Sequence, residues 1–171
     1  VYSGDLLMRL VARAQRDRLA MTSVMAMLRC ESFAEKYLIP AFIFFFGMLY
    51  PFCWVRNPSR GTAAAAGGCI LARWDALQNA GGIESIRGSL LDDCALGERL
   101  KQQGPVWLGF SQNVQSVRAS DTVANVGHMI SRSAYAQLRY SLTILAGTLL
   151  AMTLVFVAPV VITLFGRGWA V

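Results

Sequence analysis

Charge is scarce in this chain. Of 171 residues, 15% are Asp, Glu, Lys or Arg and 55% are hydrophobic. Soluble domains carry about 25% charged residues, so the apolar excess has to enter a bilayer or an unusually large buried surface. The same balance excludes intrinsic disorder, which combines few apolar residues with high charge. Histidine occurs once, at His128. No Ser/His/Asp set is evident, which argues against a hydrolase triad. The four cysteines, Cys30, Cys53, Cys69 and Cys94, stand at no zinc-ligand spacing, so no metal site is expected among them. Nothing marks a small secreted disulfide scaffold, and the four read as buried or interfacial free thiols. A GxxxxGK[ST] phosphate loop is missing. So is any basic run interleaved with aromatics, and nucleic acid is not an expected partner. The net charge of +6 instead suits anionic headgroups or a phosphorylated substrate.

The chain opens at Val1 directly on amphipathic material, without the apolar region of a signal peptide. It reads as a fragment whose N-terminal part lies upstream. Asp5 to Arg18 carries Leu6, Leu7, Leu10, Val11 and Ala14 at helical spacing. Ala20 to Leu28 is short and apolar; periodicity leaves a buried strand and a helix continuation both open. Tyr37 to Val55 holds no charge, and nearly reaches the roughly 20 residues of a spanning helix. Pro40, Gly47 and Pro51 interrupt it, and its aromatic residues favour the membrane interface. A helix lying in one leaflet is the preferred reading; a full span and a buried core remain alternatives.

Thr62 to Arg73 (TAAAAGGCILAR) combines small residues with Gly67–Gly68, which lets backbone approach a ligand closely. Cys69 to Ala72 reads as a short strand. Asp75 to Ala80 reads as a short helix closed by Gly81–Gly82, and Ile83 to Leu91 as a connection. Asp92 to Gln103 predicts a helix with acids at its start and Lys101 near its end, stopped by Gly104–Pro105. Val106–Phe110 and Val114–Arg118 read as two short strands. Asp121 to Tyr140 predicts an amphipathic helix, capped by Ser120. His128, Arg132, Tyr135 and Arg139 fall on one side, as a solvated or headgroup-facing cationic stripe, with a phosphate group facing one or more of these cations as the alternative. Ser141 to Phe165 is uncharged and long enough to cross a bilayer, with Pro159 as a possible kink. Arg132 and Arg139 before it, and Arg167 after it, weight its N-terminal side to the cytoplasm. Gly166 to Val171 reads as a loop.

The residues able to do chemistry are few. Asp92–Asp93 opens a helix after the Gly-rich segment. A helix start is an ordinary place for carboxylates. The functional reading makes one of them a general base held within reach of an acceptor hydroxyl. The helix dipole lowers its pKa and the adjacent like charge raises it.

In order, TAAAAGGCILAR, LLDDCALGERLKQQGPVWLG and RSAYAQLRYS, preceded by RCESFAEKYLIPAFIFFF and followed by an apolar span, resemble the C-terminal half of membrane-embedded family 2 glycosyltransferases. Ceramide glucosyltransferases and cellulose synthases share the logic, and the wording is closest to the hopene-associated glycosyltransferases of bacteria. The resemblance implies an α/β fold: the C-terminal part of a GT-A-type domain with interfacial helices, then a transmembrane helix. It implies a partial catalytic domain over 1–120 that includes the interfacial segment 37–55. An interface helix over 121–140, a span over 141–165 and a loop over 166–171 follow. Asp93 matches the catalytic base, and Asp92 the acid before it. Gly67, Gly68 and Cys69 match the segment near acceptor and donor sugar. Arg139 matches the arginine of a (Q/R)xxRW motif that contacts the donor diphosphate, with Gln137 and Tyr140 around it. Tyr140 stands where Trp is usual, and Ala136 where Gln or Arg is usual. The implied partners are a nucleotide-sugar donor, a lipid acceptor and the membrane, at a bacterial inner membrane with the catalytic side cytoplasmic. Mg²⁺ or Mn²⁺ is implied through a DxD motif N-terminal to this region, and the piece alone is expected to be inactive. The alternatives are a noncatalytic membrane-anchored interaction module and part of a processive polysaccharide synthase.

Overall fold

The computed structural model describes residues 1–117, 122–138 and 140–165. It divides into two units, Val1–Ile130 and Ser131–Val171.

The first unit is built on a mixed sheet in the order β2-β1-β3. The central strand β1 (Met21–Met27) is buried on both faces over Met21–Met25. That explains why its sequence is a continuous apolar run rather than an alternation, and it decides the open choice in favour of a strand. Antiparallel β2 (Ile70–Ala72) pairs Met21 with Ala72 and Ser23 with Ile70. Parallel β3 (Val106–Gln115) pairs Met21 with Val106 and Met25 with Phe110. Beyond Phe110 the register slips, and Met27 faces Gln115.

Here the sequence reading needs correction. The two strands expected at Val106–Phe110 and Val114–Arg118 are one, with Arg118 itself outside the described residues. Ser111–Gln112–Asn113 contains neither Gly nor Pro, and an irregular pairing absorbs it without a turn. The chain start supports the far end of the strand. The Ser3 N–H donates to the Asn113 carbonyl (3.0 Å) and the Gln115 N–H to the Val1 carbonyl (2.9 Å).

One face of the sheet is covered by α1 (Leu6–Arg16), whose Leu6 and Leu10 are buried against Val24 and Val114. The other face packs the run Ala63–Ala66 with α3 (Phe52–Arg56) and α5 (Asp92–Lys101). Leu100 and Leu108 are fully buried there, each worth about 1.5–3 kcal/mol. Lys101 donates from Nζ to the carbonyls of Val55 (2.8 Å), Trp54 (3.2 Å) and Thr62. It thereby satisfies acceptors that the short α3 leaves open at its end. Between these elements, α4 (Trp74–Asn79) ends on Gly81 and Gly82, both at positive φ, and Ile83–Ile86 forms a 3₁₀ turn inside the expected connection.

The aromatic block behaves differently from a single uncharged helix over 37–55. Helix α2 (Phe33–Leu49) starts earlier, at a capping box. The Glu35 N–H donates to Ser32 Oγ (3.2 Å) and the Ser32 N–H to Glu35 Oε2 (3.0 Å). The helix ends at Tyr50 because Pro51 follows, and α3 then begins. Ile39, Phe46 and Val55 are core residues, while Phe33, Tyr37 and Phe44 are exposed. The block is therefore partly core and partly an outward apolar surface.

Helix α6 (Val123–Gln137) buries Val126 against Ala34 and Ile39. Its expected cap, Ser120, lies outside the described residues. In the second unit, α7 (Leu142–Met152), a π-helical turn (Thr153–Val157) and α8 (Ala158–Phe165) run on as one helix. This helix, Leu142–Phe165, has 24 residues and is long and apolar enough to cross a membrane; it is the one such helix among the described residues. The loop expected over 166–171 lies outside them.

Candidate active site

The Ala63–Ala66 run threads between β1 and α5, and its small side chains are a packing requirement. On one side, the Ala66 N–H donates to Ser23 Oγ (2.8 Å) and the Ser23 hydroxyl donates to the Ala66 carbonyl (3.2 Å). On the other side, Gly97 of α5 lies so close that a Cβ there would meet the Ala64 carbonyl carbon at 2.9 Å. The thread thus fixes where Gly67 emerges and where α5 begins.

Those two places meet. The Gly67 N–H donates to Asp93 Oδ2 (2.9 Å), and the Cys94 N–H donates to Asp93 Oδ1 (2.7 Å). Asp93 is held in one orientation from two directions. An ionised carboxylate offers about four acceptor sites, so acceptor capacity remains for a substrate hydroxyl. Burial pushes the Asp93 carboxyl above the ordinary aspartate range, the N–H groups of Cys94 and Gly67 pull it down, and the Asp92 charge raises it. A base with a raised pKa is a stronger proton acceptor when ionised. Asp92 plays another part. It is exposed, and its Oδ1 accepts from the Asp93 N–H (2.9 Å), one of the open donors of the first turn.

Gly68 follows on the same tight path. A Cβ there would meet the Ala26 Cβ at 2.9 Å, and its carbonyl accepts from the Tyr2 hydroxyl (2.8 Å). The Cys69 carbonyl accepts from the Val24 N–H (3.0 Å), and burial raises its thiol pKa. Cys69 is thus sheet-bound, facing the α1 side among Leu71 and Trp107. The Cys94 thiol, buried and next to Asp93 and Tyr50, is pushed up to about 12, chiefly by burial. All four cysteines are free thiols, but the expectation that they are buried or interfacial is met only in part: Cys94 is buried and Cys69 half-buried, while Cys30 and Cys53 are exposed.

The remaining sequence candidates belong to the second unit. Gln137 ends α6, and its Oε1 is buried without a hydrogen-bond partner among the described residues. Tyr140 takes a positive φ of 55°, and its carbonyl accepts from the Tyr135 hydroxyl (3.0 Å). Arg139 lies outside the described residues. Tyr2 and Ala26 were not singled out from the sequence; a lone tyrosine and a lone alanine carry no local signal of approach to Gly68. Among the described residues, no three His, Cys, Asp or Glu side chains come together as a metal site.

Residues 3–169 match glycosyl transferase family 21. The chain belongs to that family. No curated protein and no solved structure matches it. The match makes the chain a glycosyltransferase domain, and glycosyl transfer requires a nucleotide-sugar donor and an acceptor. The family found is 21, where the motifs alone had pointed to family 2. Within this family 21 domain, the Gly67–Asp93 pairing sets an oriented carboxylate beside a segment with little side-chain bulk.

Proposed function

We propose that this chain carries the acceptor side and the general base of an inverting glycosyltransferase that works on a lipid hydroxyl at a membrane. The observation that supports the reading best is Asp93, half-buried and pinned by the Gly67 and Cys94 N–H groups. In this reading Asp93 takes the proton of the acceptor hydroxyl as that oxygen attacks the anomeric carbon. The bond from that carbon to the nucleoside diphosphate breaks in the same step. Asp92 and the first-turn hydrogen bond to it keep the start of α5 in place. Gly67, without a side chain, leaves the space beside the Asp93 carboxylate to the acceptor, and Gly68 holds the segment close against Ala26, while Gln137, Arg139 and Tyr140 serve the donor diphosphate. A cation such as Arg139 stabilises charge on a departing diphosphate.

The catalytic part belongs to a GT-A-type domain, with a bacterial hopanoid alcohol as the acceptor that the sequence wording favours. Leu142–Phe165 anchors it, and the arginines before that helix weight the catalytic side to the cytoplasm of an inner-membrane protein. Mg²⁺ or Mn²⁺ bound with the nucleotide sugar would neutralise the donor diphosphate, and no step above runs through it.

The deciding experiment is Asp93→Asn in the full-length protein. General-base catalysis is worth about 10²–10⁴-fold; the variant loses transfer by that factor while nucleotide-sugar binding, read by titration calorimetry, is retained. Unchanged turnover removes Asp93 from the mechanism.

A further inference from the structure

A cleft of about 780 Å³ lies in the first unit between α2 and the strand ends. Its wall on one side is Met25 and Ala26 of β1 with Phe110 of β3; on the other it is Ile39, Ile43 and Phe44 of α2. These are the carboxyl-terminal reaches of the parallel pair β1 and β3, the position where open α/β sheets bind ligands. The volume falls within the range of about 300–1,000 Å³ of small-molecule sites. No charged side chain is among the lining residues, whose exposed surface is predominantly apolar.

We infer that this cleft holds the hydrocarbon tail of the lipid acceptor. The inference rests on the reading of the protein as a lipid glycosyltransferase and names where that lipid lies. Two connections single out a hydrocarbon. Ala26 lines the cleft and is also the residue against which Gly68 is packed, and Gly67 next to it donates to Asp93. Ala26 thus links the lining of the cleft to the glycine pair that holds Asp93. At its other end Phe44, 56% exposed, belongs both to the cleft wall and to the outward apolar surface of α2 with Phe33 and Tyr37. From Phe44 inward, an apolar chain meets lining residues none of which is charged. A nucleotide finds no cationic or helix N-terminal partner among the lining residues.

The test uses the full-length protein in phospholipid vesicles with a long-chain alcohol that carries a photoreactive diazirine near the end of its tail. Label is expected in the peptides that cover 25–28 and 39–44. Ile43→Trp fills the cleft, and Met27→Trp places an indole on its lining at an exposed position where folding is spared. Each lowers that label about tenfold, the effect of excluding roughly two methylene groups. Label confined to Leu142–Phe165, or cleft label unchanged in both variants, overturns the inference. Asp93→Asn separates it from the function it rests on. That variant keeps the cleft label and loses sugar transfer; normal transfer by Asp93→Asn defeats the catalytic reading while the label still decides the cleft.

Discussion

Gly97→Ala sets two physical effects of opposite sign against each other. Alanine is favoured over glycine in a helix interior by about 1 kcal/mol, so propensity alone says that α5 gains. The contact says otherwise. The new Cβ would stand 2.9 Å from the Ala64 carbonyl carbon, 3.1 Å from the Ala65 nitrogen and 3.2 Å from the Ala64 oxygen. All three are backbone atoms, and that stretch is pinned on its far side by the Ser23–Ala66 hydrogen bonds. It cannot swing away as a flexible side chain would. Overpacking of this kind costs about 1–3 kcal/mol, which leaves a net loss of about 0–2 kcal/mol after the propensity gain. Gly47→Ala in α2 is the matched control, because a Cβ there meets nothing within 4 Å; it keeps the full gain. Thermal unfolding in detergent, followed by far-ultraviolet circular dichroism, reads both. For a protein of this size 1 kcal/mol moves the midpoint by about 2–4 °C. Gly47→Ala is expected to rise by that amount and Gly97→Ala to stay level or fall. A rise for Gly97→Ala equal to the control refutes the packing argument. It would also remove the reason for a glycine at position 97.

Transfer activity is expected to fail on the acid side at a pH above the ordinary aspartate value, because the Asp93 pKa is raised and the base is lost as pH falls through it; a profile that stays flat to ordinary aspartate pH contradicts the burial. The stability sign is opposite: Asp93 favours the fold while protonated, and that contribution fades as pH rises from the unfolded-state pKa through the raised folded one, which urea titrations at two pH values will read. Lys101→Met leaves the Trp54, Val55 and Thr62 carbonyls without their charged donor and is expected to cost about 1.5–3 kcal/mol, measured as a lower unfolding midpoint. Iodoacetamide at mildly alkaline pH is expected to alkylate exposed Cys30 and Cys53 and to spare Cys94, whose thiol is buried and pushed up to about 12; early labelling of Cys94 by mass spectrometry would show that the start of α5 opens.

What was legible in the sequence were the elements whose cause is local. Helix α1 follows its leucine spacing, α4 stops at its glycines, and the long apolar run at the end forms a helix. The meeting of the Gly-rich segment with Asp93 was anticipated in outline, but not that the partner is the Gly67 N–H. Three features escaped because their causes lie far apart in the chain. β3 stays unbroken because Val1–Ser3 pair with its far end. Position 97 is glycine because the backbone of the alanine run passes close against it. The cleft joins residues of β1, α2 and β3 that share no motif. The start of α2 was readable in principle from Ser32 and Glu35. The uncharged stretch from Tyr37 drew attention away from it, because a capping acid lies outside an apolar window by nature.

The π-turn at Thr153–Val157 has a consequence for the azimuth of the Leu142–Phe165 helix. An α-helix advances about 100° per residue, and a π-turn admits one residue more than α geometry allows. The outward directions of Ala158–Phe165 are therefore offset by roughly that angle from those of Leu142–Met152. Deleting one residue from Thr153–Val157 would regularise the helix and rotate its far half, without making it less greasy. A neighbour gripping both halves would notice such a deletion; lipid alone would not.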